Sequence, residues 1–195
     1  MKKTLLLVAA TALLSVVPAS AQSFSLYGSY WDTDAADDSF GGGAALSLGH
    51  TWALDLRGSY YQELNNHAFD NLFDDDEVFR DSGLEVLPLE IGVRYNFQPD
   101  ESVNPHIGAG VGYYILDTDI GDPKDEVGYY ISAGSSFGQS DGIGFFVEAT
   151  YRKAEGTVEV DPEDLGDIDD TEFDGDEVNI DLDGWGVNAG IIWRW

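Results

Sequence analysis

GWGVNAGIIWRW, residues 184–195, separates into two faces when every second position is read. Trp185, Val187, Ala189, Ile191, Trp193 and Trp195 fall on one face, and Gly186, Asn188, Gly190, Ile192 and Arg194 on the other. Successive side chains of a β-strand point to opposite sides, so the spacing predicts a strand with one apolar, aromatic wall. Its length suffices to cross a bilayer as a tilted strand, which takes about 9–11 residues. A last strand of an ordinary sandwich would alternate in the same way, and the remaining chain decides between the two.

Seven further stretches alternate: Ser23 to Trp31, Gly43 to His50, Trp52 to Tyr61, Glu85 to Phe97, Pro105 to Leu116, Val127 to Gly138 and Ile143 to Lys153. Eight strands in all are expected. The connections between them alternate long and short. The long ones are Asp32 to Ser39, Glu63 to Gly83, Asp117 to Glu126 and Ala154 to Asp183. The short ones lie near His50 and Thr51, at Gln98 to Asn104, and at Gln139 to Gly142, where Asp141-Gly142 carries a hairpin signature. Long loops at one end and tight turns at the other are the pattern of an up-and-down barrel.

The outward-phase aromatic residues form two rings. Tyr30, Tyr60, Tyr113, Tyr129, Tyr151 and Trp185 lie toward the long connections, and Phe24, Trp52, Phe97, Phe137, Trp193 and Trp195 toward the short turns. Leu, Ile, Val and Ala fill the space between, matching an apolar band about 25 Å tall between aromatic girdles. The acids segregate as well: 30 of the 37 fall in the four long connections. A soluble sandwich needs polar residues on its outer face and has no use for aromatic rings. The expected fold is therefore an all-β, eight-stranded, antiparallel up-and-down transmembrane β-barrel.

An export address precedes it. Lys2 and Lys3 form a positive start, Leu5 to Val17 an apolar run, and Ala19-Ser20-Ala21 a small-residue cleavage site. Residues 1–21 are thus expected to be a cleaved signal peptide, and 22–195 the barrel domain. The apolar run is shorter than the roughly 20 residues of a spanning helix. The chain has no cysteine, which removes disulfides, thiolate metal sites and cysteine nucleophiles. With 37 acidic against 9 basic residues it would repel nucleic acid, so no nucleic-acid partner is expected.

The inward phase carries three acids, Asp55, Glu90 and Glu148, beside four bases, Arg57, Arg94, Arg152 and Arg194. Charges shielded from water must be paired to be tolerated, which predicts a salt-bridge network rather than an aqueous pore. Eight strands leave a bore only wide enough for side chains to fill, and Tyr114, Tyr130, Phe146 and Ile192 would help fill it. A path for protons or small ions along the charges is the functional alternative.

Asp74 to Glu77 and Asp161 to Asp183 are dense in carboxylates, which are hard-oxygen ligands for calcium or magnesium. Asp170, Glu172, Asp174, Asp176 and Asp181 form a loose calcium-loop pattern, with Gly175 at the turn position. A solvated, self-repelling loop accounts for the same residues, as does loose divalent bridging to lipopolysaccharide or adaptation to a salty habitat. No other cofactor is expected. No catalytic residue is expected either: His50 and His67 lie in connections, and inward-facing His106 has no lipid-facing serine beside it.

With eight strands, an export signal and an aromatic terminus, the chain resembles the small outer-membrane β-barrel family. That family includes the transmembrane domain of outer-membrane protein A and the OmpX and OmpW types. The terminal strand likewise resembles the signal that barrel assembly machinery reads. The resemblance implies a surface-exposed monomer of the Gram-negative outer membrane, in contact with lipid and lipopolysaccharide, with a structural or recognition role. An OmpW-like conduit for small apolar molecules is the rival, and some small barrels modify lipid A. The charged interior argues against the conduit.

Overall fold

A computed structural model describes residues 21–33, 36–65, 83–117, 122–138, 141–159 and 177–195. The strands are β1 (Ala21–Thr33), β2 (Ala36–Gly49), β3 (Trp52–Asn65), β4 (Gly83–Asn96), β5 (Val103–Asp117), β6 (Asp122–Lys124), β7 (Glu126–Gly138), β8 (Gly142–Lys153), β9 (Glu155–Glu159), β10 (Glu177–Asp181) and β11 (Gly184–Arg194). Eight of them close into a barrel in the order β1-β11-β8-β7-β5-β4-β3-β2. Every neighbouring pair is antiparallel, including the seam of β1 with β11. Closure leaves no barrel strand with an unpaired edge, the condition for crossing a medium that offers no hydrogen bonds.

Period-two patterning decides which wall faces in. Leu26, Val93 and Ile191 are 56%, 50% and 52% exposed, whereas Asp55, Glu148 and Arg152 are 1%, 2% and 0% exposed. A protein built for water would reverse this arrangement. Within the bore, Tyr27, Ala45, Phe146 and Ile192 form a small apolar cluster, with the Tyr27 and Phe146 rings edge-to-face at 5.9 Å. Turn chemistry closes the short end. Gly138 and Gly142 flank the β7–β8 hairpin with φ of 132° and 108°, a left-handed backbone that a side chain would strain.

Three expectations about the connections need correction. Asp32 to Ser39 is not a long loop: β1 runs to Thr33, β2 starts at Ala36, and those two residues pair directly. Asp32 faces outward and is exposed, so acidity on the solvent side does not interrupt a ladder held by backbone bonds. The Asp117–Glu126 and Ala154–Asp183 connections also contain structure, because β6, β9 and β10 form a separate three-stranded antiparallel sheet. At the short-turn end, β4 stops at Asn96 and β5 begins at Val103, so that turn is tighter than Gln98 to Asn104 and slightly displaced. The expected signal segment lies outside the described residues, apart from Ala21.

Glycine on the inward face of β5 makes room for neighbouring rings. A Cβ at Gly110 would collide with the backbone of Ile91 and Gly92 and with the Tyr130 ring, whereas one at outward Gly28 would meet nothing within 4 Å. Gly110→Val should therefore cost at least about 1–3 kcal/mol through overpacking, and Gly28→Ala should be near neutral. Urea unfolding of the refolded barrel, followed by tryptophan fluorescence, checks the contrast. Equal midpoints for the two variants would contradict it.

Candidate functional site

The bore is the candidate site, and strand periodicity assembles it. Asp55 and Arg57 lie two apart on β3. Glu90 and Arg94 lie four apart on β4, as do Glu148 and Arg152 on β8. His106 enters from β5, and Asn188 and Arg194 from β11. Even spacing puts each pair on one face, and closure turns all of these faces toward one another.

Arg57 occupies the centre. Its guanidinium donates to Asp55 through Nη2 and through Nε at 3.2 Å, and to Glu148 Oε1 through Nη1 at 2.7 Å. The same group sits 4.8 Å from the centre of the Tyr130 ring. Arg94 reaches the same two acids through Nη2, at 3.1 Å from Asp55 and 3.5 Å from Glu148. Ser47 donates to the other Asp55 oxygen at 2.6 Å, and Asn188 donates to Glu148 at 3.2 Å. His106 Nε2 lies 3.2 Å from Glu148 Oε2. Thus Asp55 and Glu148 each face two arginines and at least one further polar side chain, the coordination a buried carboxylate requires.

A second tier lies toward the long connections. Arg152 donates to Glu90 through Nε at 2.8 Å and Nη2 at 3.4 Å, a two-pronged contact, and Tyr114 donates to Glu90 at 3.4 Å. The Arg152 guanidinium also lies 5.2 Å from the Trp31 ring and 5.9 Å from the Tyr61 ring. Trp31 packs on Tyr61 and Tyr114 with centroids 5.0 and 6.3 Å apart. These three rings and Arg152 have no exposed surface. Toward the short turns, Arg94 and Arg194 line a cavity of about 160 Å³. The structure therefore brings Asp55, Arg57, Glu90, Arg94, Glu148 and Arg152 together and places Arg194 on the wall of this cavity.

On the outer wall, Trp52, Phe97, Tyr113, Tyr129, Phe137, Trp185, Trp193 and Trp195 are exposed, and Phe24, Tyr30, Tyr60 and Tyr151 are half-buried. Tyr151 packs on Trp185 at 5.1 Å, and Tyr30 on Phe40 at 5.3 Å. Phe40, 75% exposed, falls between the connection read at Asp32 to Ser39 and the strand read from Gly43, and so was assigned to neither. Asp170, Glu172, Asp174 and Asp176 lie outside the described residues, and exposed Asp181 accepts a bond from the Asp183 backbone N–H at 3.0 Å.

Sequence reasoning also left out His106, Ser47, Asn188, Trp31 and Tyr61. All five are inward in phase. His106, Ser47 and Asn188 were passed over because only formally charged residues were counted as network members.

The barrel matches solved structures along nearly its whole length. The outer membrane protein OprG from Pseudomonas aeruginosa superposes with a TM-score of 0.65 at 13% identity, covering 90% of this chain and 97% of that one. Neisserial surface protein A superposes with a TM-score of 0.55 at 11% identity, covering 90% and 96%. The fold is that of the small outer-membrane β-barrels. No protein-family model matches the sequence, and no curated protein matches it. The likeness is thus one of strand number, closure and connectivity, and the side chains in the bore are argued on their own geometry.

Removing one cation tests the coupling. Arg57→Ala is expected to lose about 3–5 kcal/mol, the cost of leaving buried carboxylates without their partner. Arg94→Ala should cost less, because Arg57 still reaches both Asp55 and Glu148. Urea midpoints in detergent micelles give the order, and an equal or reversed ranking would show that Arg57 is not the centre.

Proposed function

We propose that this protein is an integral barrel of the bacterial outer membrane, with a bore closed by side chains and a structural or surface-recognition role rather than an enzymatic one. The observation that carries the reading is the inversion of its walls. Paired charges and fully covered rings fill the inside, while half-exposed aliphatic residues between aromatic rings face outward. Such an outer wall is stable only against hydrocarbon, and the aromatic rings suit its two interfaces. Barrels of this kind present tight turns to the periplasm and longer connections outward, so the acidic segments face the exterior.

Closure rests on two tiers. Ions entering from outside would meet Trp31, Tyr61 and Tyr114 over Arg152, and then the Arg57 cluster. Displacing these groups would strand charges in a low dielectric. Among the described residues His106 engages Glu148, which supports a bracing role for it over that of a catalytic base. Lipid and lipopolysaccharide are the proposed surroundings. The terminal strand, ending in Trp193, Arg194 and Trp195, is the proposed recognition element for assembly. Because apolar outward residues come from strands all round the barrel, the reading is of a monomer solvated by lipid.

Planar-bilayer recording of the refolded protein tests the closed bore. Wild-type protein should give no resolved steps. Arg94→Ala, which loosens the lower tier while leaving Trp31 and Arg152 in place, should stay silent too. Steady cation-selective steps from the wild type, altered by the Arg94 change, would identify a channel instead.

A further inference from the structure

The cavity at the short-turn end is not explained by a plug. Its volume of about 160 Å³ is more than ten times the roughly 10–15 Å³ that one water needs. Arg94, Arg194, Ser23, Ser47, Asn104 and Ser136 line its inner walls. Both arginines are less than a tenth exposed, at 6% and 7%. The buried Nε of Arg94 has no hydrogen-bond partner, because this residue spends Nη2 on Asp55 and Glu148.

The acids on the cavity lie elsewhere. Asp100 and Asp141 belong to the turns at its mouth. Asp100 is held by His50 at 3.0 Å, with its side chain 80% exposed. Charges at such a rim are screened by water and salt, whereas guanidinium groups deep in the wall act through a lower dielectric. Asp55 and Glu148 are not among the lining residues. In a chain of net charge −28, this is a polar space open at the turn end, and the charged side chains in its inner wall are arginines. Guanidinium forks match planar or tetrahedral oxyanions, and hydroxyl groups supplement them.

We infer that this cavity is a binding site for a small oxyanion of the phosphate or carboxylate type, held chiefly by Arg94 and Arg194. Ser23, the cross-strand partner of Arg194, and Asn104 supply neutral polar contacts. The site faces the turn side of the barrel and does not depend on whether the bore above it conducts.

The test is a titration of the refolded, ¹⁵N-labelled barrel with inorganic phosphate, and separately with acetate, at ionic strength held constant with chloride. The arginine side-chain Nε–H signals are followed. The signals of Arg94 and Arg194 should shift saturably within about 10 mM of one or both anions, and Arg194→Gln should weaken binding about tenfold or more. Shifts that never saturate, or saturation unchanged in Arg194→Gln, would overturn the site. If Arg194→Gln yields no heat-modifiable folded band, Ser23→Leu decides, since it fills the cavity beside Arg194 without removing a charge. Lost saturation then supports the site, and undiminished binding overturns it.

Discussion

An arginine enclosed in a β-barrel cannot shed its proton, and the bore of this protein is arranged around that fact. Arg57, Arg94 and Arg152 are each at most 6% exposed. Their charges persist, so carboxylates must be brought to them from whichever strands closure makes adjacent. Arg57 on β3 meets Glu148 on β8, 91 residues away, and Arg152 on β8 meets Glu90 on β4, 62 residues away. These contacts span the lumen, whereas the ladder hydrogen bonds join only neighbours. The network thus fixes how opposite walls face each other, and the ladder fixes register.

The polar groups around the ions extend this bracing to the seam where the barrel closes. Asn188 on β11 bridges Glu148 and Thr150, and Ser29 on β1 donates to Asn188 while also meeting the Tyr61 hydroxyl. A break at the β1–β11 seam would therefore cost Asn188 its donor from Ser29 as well as opening two strand edges. Bulk is distributed to suit. Tyr114 and Tyr130 extend over inward glycines, and rings of Tyr130, Trp31 and Tyr61 pack against the Arg57 and Arg152 guanidinium groups. Lower polarity around them strengthens each ion pair and raises the cost of an unpaired charge.

Much of this was legible in the sequence because a strand's period is two. Once one wall was known to be apolar, the opposite phase placed Asp55, Arg57, Glu90, Arg94, Glu148 and Arg152 in the bore without any knowledge of their partners. Register and partner choice were not legible, since they depend on strand stagger around the barrel. The reading also equated acidity with looping. Asp32 and Ser39 lie in paired strands because a ladder tolerates any side chain that reaches water, and β6, β9 and β10 form where the composition suggested only solvated chain. Trp31 and Tyr61 were underrated because they stand at strand ends, where a sequence alone does not tell whether the bore is still closed.

The acids at the rim have a further role that composition could not reveal. Asp125 accepts the Leu116 backbone N–H at 3.3 Å and the Tyr113 hydroxyl at 3.0 Å. Asp183 accepts the Ala154 backbone N–H at 3.0 Å and pairs with Lys153 at 2.6 Å. Barrel strands end at different heights, and backbone donors beyond the last ladder bond need acceptors just as helix ends do. Short carboxylate side chains next to those ends supply them. A lipid-facing wall excludes acids, and a buried bore admits only those it can neutralise. The rims are where the remaining acids can sit, and part of the excess there is used to finish the sheet.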